Sequence, residues 1–385
     1  MKKIGLVLAY CNNYGTMLQS FATLKKIQSL GYECEIIRYK KHLSCWKKIC
    51  LLFNLVRIGD FSSHMRIVKN TVNSRIRPSY KKGKVTKDNS FKKFAEKKLL
   101  PFFNEYNGYE ELHEGSKNYS LVLVGSDQIW SLISIYGGFF NLMFVDDSVP
   151  KVSYASSFGV TSIPSFQQKA TKFYLDRFNK IGVREESGKT IVDSLSVNKA
   201  TVVADPSMLL TAQEWETEMS NIAIEHREPY IFCYFLGRNK KYRGVVEELK
   251  NTTGCHIVAV CHNDEYVKSD EGFGDFVPYD VGPLEFLKYI HEAQFVCTDS
   301  FHCTVFSILF HKKFMSFYRY QSDSNGSRNT RIDNLLSRFM LTDRIYKGDI
   351  KLIMSDIDYE VVDVKLKEFR EESQTFLENE LKMAK

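Results

Sequence analysis

The chain has 385 residues, 44% of them hydrophobic and 14% aromatic, and carries a net charge of +7. That is too long for one ordinary core and ample for burial, so the composition points to two domains and excludes wholesale disorder. Nine dispersed cysteines with no CxxC pair exclude a disulfide framework and fit a reducing cytoplasm.

Taken in chain order, Met1-Lys2-Lys3 and the apolar stretch Ile4 to Tyr10 have a superficial likeness to a secretion signal. The stretch is short, no small-residue cleavage site follows, and Tyr10 is too bulky for a lipoprotein signal, so it reads as a first strand. Met17 to Leu30 has helical apolar spacing ended by Gly31, and Cys34 to Tyr39 returns as a strand. From Arg38 to Lys98 there are 18 Lys/Arg against 3 Asp/Glu, a local balance of +15 that leaves −8 for the rest. This basic segment is expected to be a peripheral helical insertion. It suits an anionic membrane surface or a phosphate-linked substrate, or else forms solvated Lys-rich helices. Nucleic acid is disfavoured because no nucleic-acid motif accompanies the charge.

Further strands are expected at Leu121 to Val124, Lys151 to Ala155, Lys180 to Val183 and Thr201 to Ala204. Gln128 to Val145 is uncharged over 18 residues, but Ser, Gly, Asn and Gln interrupt it, so it reads as a loop and a buried strand. A second set follows a helical connection near Trp215. It has strands at Tyr230 to Leu236, His256 to Val260, Phe295 to Thr298 and Phe314 to Tyr318. Helices are expected at Tyr242 to Lys250, Pro283 to His291, Cys303 to Phe310 and Thr330 to Phe339, with a long final one at Tyr359 to Lys382. Cys255-His256 and Cys261-His262 flank a strand spanning roughly 20 Å, too far for both cysteines to reach one metal. The alternation defines an α/β fold of two Rossmann-like, doubly wound domains facing a cleft. The domains are expected over 1–208, with the basic segment at 40–100, and over 209–350. A helix over 351–385 is expected to pack back on the first domain.

In such sheets ligands sit beyond the carboxyl ends of the strands, and the polar clusters fall there. Cys11-Asn12-Asn13-Tyr14-Gly15-Thr16 follows the first strand and opens a helix, whose N-terminus can hold an anion. Gly125-Ser126-Asp127-Gln128 offers a carboxylate and an amide to sugar hydroxyls, or helix caps. Val183-Arg184-Glu185-Glu186-Ser187 presents an arginine that can grip a carboxylate or phosphate by two parallel hydrogen bonds. Asp205-Pro206 reads as a turn or interdomain joint. Thr298-Asp299-Ser300-Phe301-His302-Cys303-Thr304 places His302 near a helix start, in reach of proton transfer.

In this order the clusters resemble the polysaccharide pyruvyl transferase family. The branch concerned carries NYG, GSDQ-W and TDSFH motifs, here Asn13-Tyr14-Gly15, Gly125-Ser126-Asp127-Gln128-Ile129-Trp130 and Thr298-Asp299-Ser300-Phe301-His302. Tyr154-Ala155-Ser156-Ser157-Phe158-Gly159 and Val183-Arg184-Glu185-Glu186-Ser187-Gly188 belong to the same series. The resemblance covers roughly residues 1–345. It implies a GT-B-like fold, phosphoenolpyruvate as co-substrate, a sugar hydroxyl pair as acceptor, and a pyruvate ketal on a surface polysaccharide such as a capsule or exopolysaccharide. It implies neither a metal nor a nucleotide cofactor.

His302 and Asp127 are then the expected catalytic residues. Arg184, Ser300, Thr304 and Arg328 are expected on the donor, and Asn13, Gly15, Ser126 and Gln128 on the acceptor. Relatives carry an Arg two residues before the histidine, where this chain has Ser300, and usually Gly after it, where this chain has Cys303. Arg319, Arg328 or Arg331 could supply the missing cation, and Arg328 is the choice because it sits in a polar loop. Such acceptors are often lipid-diphosphate-linked, which implies a cytoplasmic enzyme held peripherally at the inner membrane face through residues 38–98. The rival expectations are a GT-B glycosyltransferase using a nucleotide sugar and a non-catalytic sugar- or phosphate-binding protein of the same fold.

Overall fold

The computed structural model describes residues 2–40, 77–226, 228–262, 265–320 and 329–384. Its first sheet holds seven strands: β1 (Ile4–Val7), β2 (Cys34–Lys40), β3 (Phe103–Asn107), β4 (Leu121–Val124), β5 (Lys151–Ser156), β6 (Lys180–Val183) and β7 (Ala200–Val202). They run parallel in the order β3-β2-β1-β4-β5-β6-β7. The second sheet holds β8 (Tyr230–Tyr234), β9 (His256–Ala259), β10 (Phe295–Thr298) and β11 (Lys313–Ser316), parallel in the order β11-β10-β8-β9. Strands such as Leu121–Val124 are buried along their whole length, the run expected where helices cover both faces of a parallel sheet.

Eleven α-helices connect the strands among the described residues: α1 (Tyr14–Ser29), α2 (Pro78–Lys98), α3 (Tyr109–Ser116), α4 (Ser165–Leu175), α5 (Glu186–Leu195), α6 (Ala212–Met219), α7 (Lys240–Thr253), α8 (Pro283–Glu292), α9 (Phe301–Leu309), α10 (Thr330–Arg338) and α11 (Tyr359–Leu381). The result is two doubly wound, Rossmann-like units in a GT-B-like arrangement. The strand order reverses between β1 and β4 in the first sheet and between β8 and β10 in the second, so each sheet has its crevice there. One hydrophobic core runs through both units, taking in Ile4 and Leu123 from one sheet and Phe232 and Val296 from the other.

Two expectations change. The basic segment is not peripheral where it is described: α2 buries Phe91, Phe94 and Ala95. Lys87 donates to the Cys261 carbonyl and Ser90 to the Asp280 carbonyl, so α2 is a strut against the second unit. Its Lys-rich turns needed only one face for water, leaving the other free to pack. Residues 41–76 lie outside the described residues. The second change is at Gln128 to Val145, which forms turns and one 3₁₀ turn but no strand. Its apolar side chains, Ile129, Trp130 and Leu142 among them, fill the core from irregular backbone.

The final helix lies against the first sheet: Phe376 meets Gly182, the Ser373 hydroxyl accepts from the Ala204 amide at 2.8 Å, and Arg370 donates to the Met208 carbonyl. No described helix is long and apolar enough to cross a membrane.

Candidate active site

The crevices of the two sheets meet, and strand-end residues from both form one buried polar cluster. Asp205, just past β7, is its centre and is wholly buried. Its Oδ2 accepts from Arg184 Nη1 at 2.9 Å and lies 3.4 Å from His302 Nε2, while Oδ1 accepts from the Ser207 amide and hydroxyl at 3.0 and 2.6 Å. Ser126 reaches it at 3.4 Å but donates chiefly to the Ala155 carbonyl, at 2.8 Å. Burial pushes the Asp205 carboxyl up, yet His302, Arg184 and Ser207 outweigh it and hold the group well below the usual carboxylate range. Asp205 is therefore an anion that fixes two cation-capable groups.

Arg184, at the end of β6, has 2% of its side chain exposed. Burial works against its charge, but Asp205, Glu185 and Asp127 outweigh burial and keep the guanidinium above its ordinary value. Its Nη2 stands 3.7 Å from Asp127 and its Nε 3.5 Å from Glu185, and neither nitrogen has a hydrogen-bond partner among the described residues. His302 Nε2 is likewise buried and without a hydrogen bond. Each of these nitrogens faces a carboxylate, of Asp127, Glu185 or Asp205, at ion-pair distance.

Asp127 follows β4 in a positive-φ conformation (φ 80°). Its Oδ2 accepts from the Thr16 hydroxyl at 2.8 Å and its Oδ1 from the Gln128 amide at 2.8 Å, tying the β4 loop to the start of α1. Burial pushes this carboxyl up too, but Arg184, His302, Thr16 and Gln128 bring it below the usual range. It is a fixed negative charge and a weak base.

The NYG segment serves the cluster through contact. A Cβ on Gly15 would stand 2.0 Å from His302 Nδ1, so only glycine lets the first unit touch the imidazole. Tyr14 is buried, stacks on Phe286 at 4.2 Å and donates to the Val281 carbonyl, fastening the two units beside the site. Asn13 caps α1, its Oδ1 accepting from the Thr16 amide at 3.3 Å. Gln128 lies against Gly159, its amide nitrogen buried without a hydrogen bond.

At the start of α9, Ser300 caps the helix through the Cys303 amide, at 3.4 Å. The Thr304 hydroxyl bonds to the Ser300 carbonyl and to Ser316, so it is spent within the fold and does not join the cluster. Asp299 takes the Leu236 and Gly237 amides at 2.7 Å each, binding the β8 and β10 loops together. Arg328 lies outside the described residues. Arg331 on α10 takes a position of the kind expected of Arg328: it lines a 380 Å³ cavity with Arg184, Arg338, Glu185, Glu186 and Phe301. Burial, then the neighbouring Arg184, brings its guanidinium down to about 10. It makes no ion pair among the described residues, and its Nε has no hydrogen bond.

The cluster thus joins Asp127, Arg184, His302, Ser126 and Gly15, while Asn13, Ser300 and Thr304 are engaged in capping or packing. Sequence reasoning read Asp205 as a turn or joint, gave Thr16 no role of its own, and named Arg331 only as an alternative to Arg328. Asp205 follows a strand as the others do, and that position was the available signal. Arg331 follows no strand.

Fold and cluster together define a two-unit α/β protein with a buried cluster of charged side chains where its two sheets meet. A family model described as polysaccharide pyruvyl transferase matches residues 13–321, and the chain belongs to that family of transferases. No curated protein matches it. Among solved structures, UDP-GlcNAc 2-epimerase from Methanocaldococcus jannaschii is 11% identical, with 95% of this chain and 99% of that one covered at a TM-score of 0.47. Acinetobacter baumannii MurG is 8% identical (98% and 99% covered, TM-score 0.46), and Anabaena HepE in complex with UDP and glucose is 9% identical (98% and 99% covered, TM-score 0.49).

Proposed function

We propose that the protein transfers pyruvate from phosphoenolpyruvate to a pair of sugar hydroxyls, forming a ketal during surface polysaccharide biosynthesis. The observation that carries this reading is the set of buried guanidinium and imidazole nitrogens without hydrogen-bond partners at Arg184, Arg331 and His302. Such a set suits a small donor bearing both a carboxylate and a phosphate.

The reaction adds a proton to the donor's methylene carbon and joins a sugar oxygen to its central carbon. Phosphate then leaves, and the second hydroxyl closes the ring. Arg184 and Arg331 hold the donor's anionic groups, Arg331 supplying the cation that Ser300 does not. His302 moves the proton, held by Gly15 on one side and Asp205 on the other. Asp127 orients the acceptor hydroxyl and does not accept its proton, because its neighbours favour the ionised carboxylate.

A thermal-shift screen of donors, followed by mass spectrometry of galactose-, mannose- and N-acetylhexosamine-containing acceptors, tests the reading. Stabilisation by phosphoenolpyruvate and a pyruvyl adduct are expected. Stabilisation by UDP- or GDP-sugars alone would transfer the site to a glycosyltransferase. Binding without acceptor-dependent phosphate release would make it a binding protein.

The exposed Lys81, Lys82, Lys92, Lys93 and Lys97 of α2 favour an acceptor carried on an anionic membrane face in the cytoplasm. Cosedimentation with anionic vesicles at low salt should exceed that with neutral vesicles, and equal binding removes this part.

A further inference from the structure

A second cavity, of 410 Å³, opens past the carboxyl end of β9 between α2 and the loop that follows the strand. We infer that it is a subsite for a neutral pyranose ring, distinct from the arginine-lined cavity. Its size is within the range of small-ligand sites. That the ring belongs to the acceptor rests on the pyruvyl-transfer reading; that a sugar binds here does not.

The charges decide the class of ligand. Arg77 Nη1 already holds Glu271 at 2.8 Å. Glu265 takes two hydrogen bonds from Arg238, at 2.8 and 2.7 Å, and Asp270 takes two from Arg243, at 3.0 and 2.6 Å. Three arginines thus meet three carboxylates, so the rim carries no excess positive charge, which a phosphate or carboxylate ligand would need. A neutral ligand would not.

The walls decide the shape. Tyr80 and Tyr266 meet edge to face, centroids 5.7 Å apart at 81°, which makes a corner and not a parallel slot for a nucleobase. The outer face of Tyr266 is already covered by the Arg77 guanidinium at 4.1 Å. Tyr279 lies against Gly83 of α2, where a Cβ would come within 2.4 Å of the ring, and it remains 45% exposed. An exposed, braced ring offers a flat apolar surface to the C–H face of a sugar, with carboxylate oxygens nearby for its hydroxyls.

The cavity also stands next to the chemistry. Lys87, which donates to the Cys261 carbonyl at its rim, lies over the Tyr14 ring at 4.4 Å, and the next residue, Gly15, touches His302.

The test uses the full chain without phosphoenolpyruvate. Methyl glycosides of galactose, mannose and N-acetylglucosamine are titrated by saturation-transfer NMR and calorimetry against wild type and Tyr279→Ala, with inorganic phosphate titrated in parallel. At least one glycoside should bind wild type. Tyr279→Ala should weaken it roughly threefold to tenfold, leaving phosphate binding and the melting temperature unchanged. The subsite is overturned if no glycoside binds, if Tyr279→Ala and Tyr266→Ala both leave binding unchanged, or if uridine monophosphate competes more strongly than any glycoside. Intact sugar binding with no acceptor-dependent phosphate release from phosphoenolpyruvate would sink the pyruvyl reading alone.

Discussion

Around the 380 Å³ cavity Arg184, Arg331 and Arg338 face Glu185 and Glu186, and Arg331 has no ion pair among the described residues. Around the 410 Å³ cavity the arginines at or near the rim are each engaged by a carboxylate. Both are built from the same residue types, aromatic rings with Arg and Glu. What separates them is stoichiometry and burial. Arg184 is held by Asp205, but Arg331 faces its cavity with no ion pair among the described residues, and an uncompensated charge out of water is costly. At the second cavity the pairs are matched one to one and more exposed, and tyrosine rings make up much of the wall.

The sharpest break between the regions is at His302. His302→Ala should lower turnover about 10²–10⁴-fold, the range for loss of a general acid or base, measured as acceptor-dependent phosphate release. Turnover near wild type removes His302 from the chemistry. Sugar binding at the tyrosine cavity should not change.

Asp205→Asn probes the buried charges as structure. It leaves Arg184 short of its closest anion and should cost about 3–5 kcal/mol of stability at pH 7, read by denaturant unfolding. The folded carboxyl is depressed, so its contribution is complete above the unfolded value of about 3.9 and is lost as pH falls toward the lower folded value. The gap between wild type and variant should therefore close in acid. A gap that widened below pH 4 would contradict the assigned charge.

Arg331→Gln removes one charge-assisted contact, worth about 1.5–3 kcal/mol, so the KM for phosphoenolpyruvate should rise roughly tenfold or more. An unchanged KM would return the missing cation to another residue, with Arg319 the next to test. Glu271→Gln, at the exposed Arg77 pair, should change stability by no more than about 1 kcal/mol and less at high salt. A loss as large as that of Asp205→Asn would erase the distinction between the two cavities.

Much of the fold was legible because its signals are local. Strands such as Leu121–Val124 and Phe295–Thr298 are short apolar runs that must be buried, and both stand where hydrophobic pattern puts them. Strand-end position then identified Asp127, Arg184 and His302 as candidates, and all three meet. The pattern failed at Gln128 to Val145, where apolar content without period packs as turns, and at α2, where positive charge concealed a buried face carrying Phe91 and Phe94.

By itself the sequence determined that two parallel α/β units form and that their polar residues gather at strand ends, since hydrophobic period and turn chemistry act between near neighbours. Only the tertiary structure decided that Asp205 stands between Arg184 and His302, that Gly15 admits the imidazole, and that Arg331 lines one cavity with Arg184. Those relations join residues far apart in the chain, and their energies come from burial and charge pairing, which exist only once the two units close on each other.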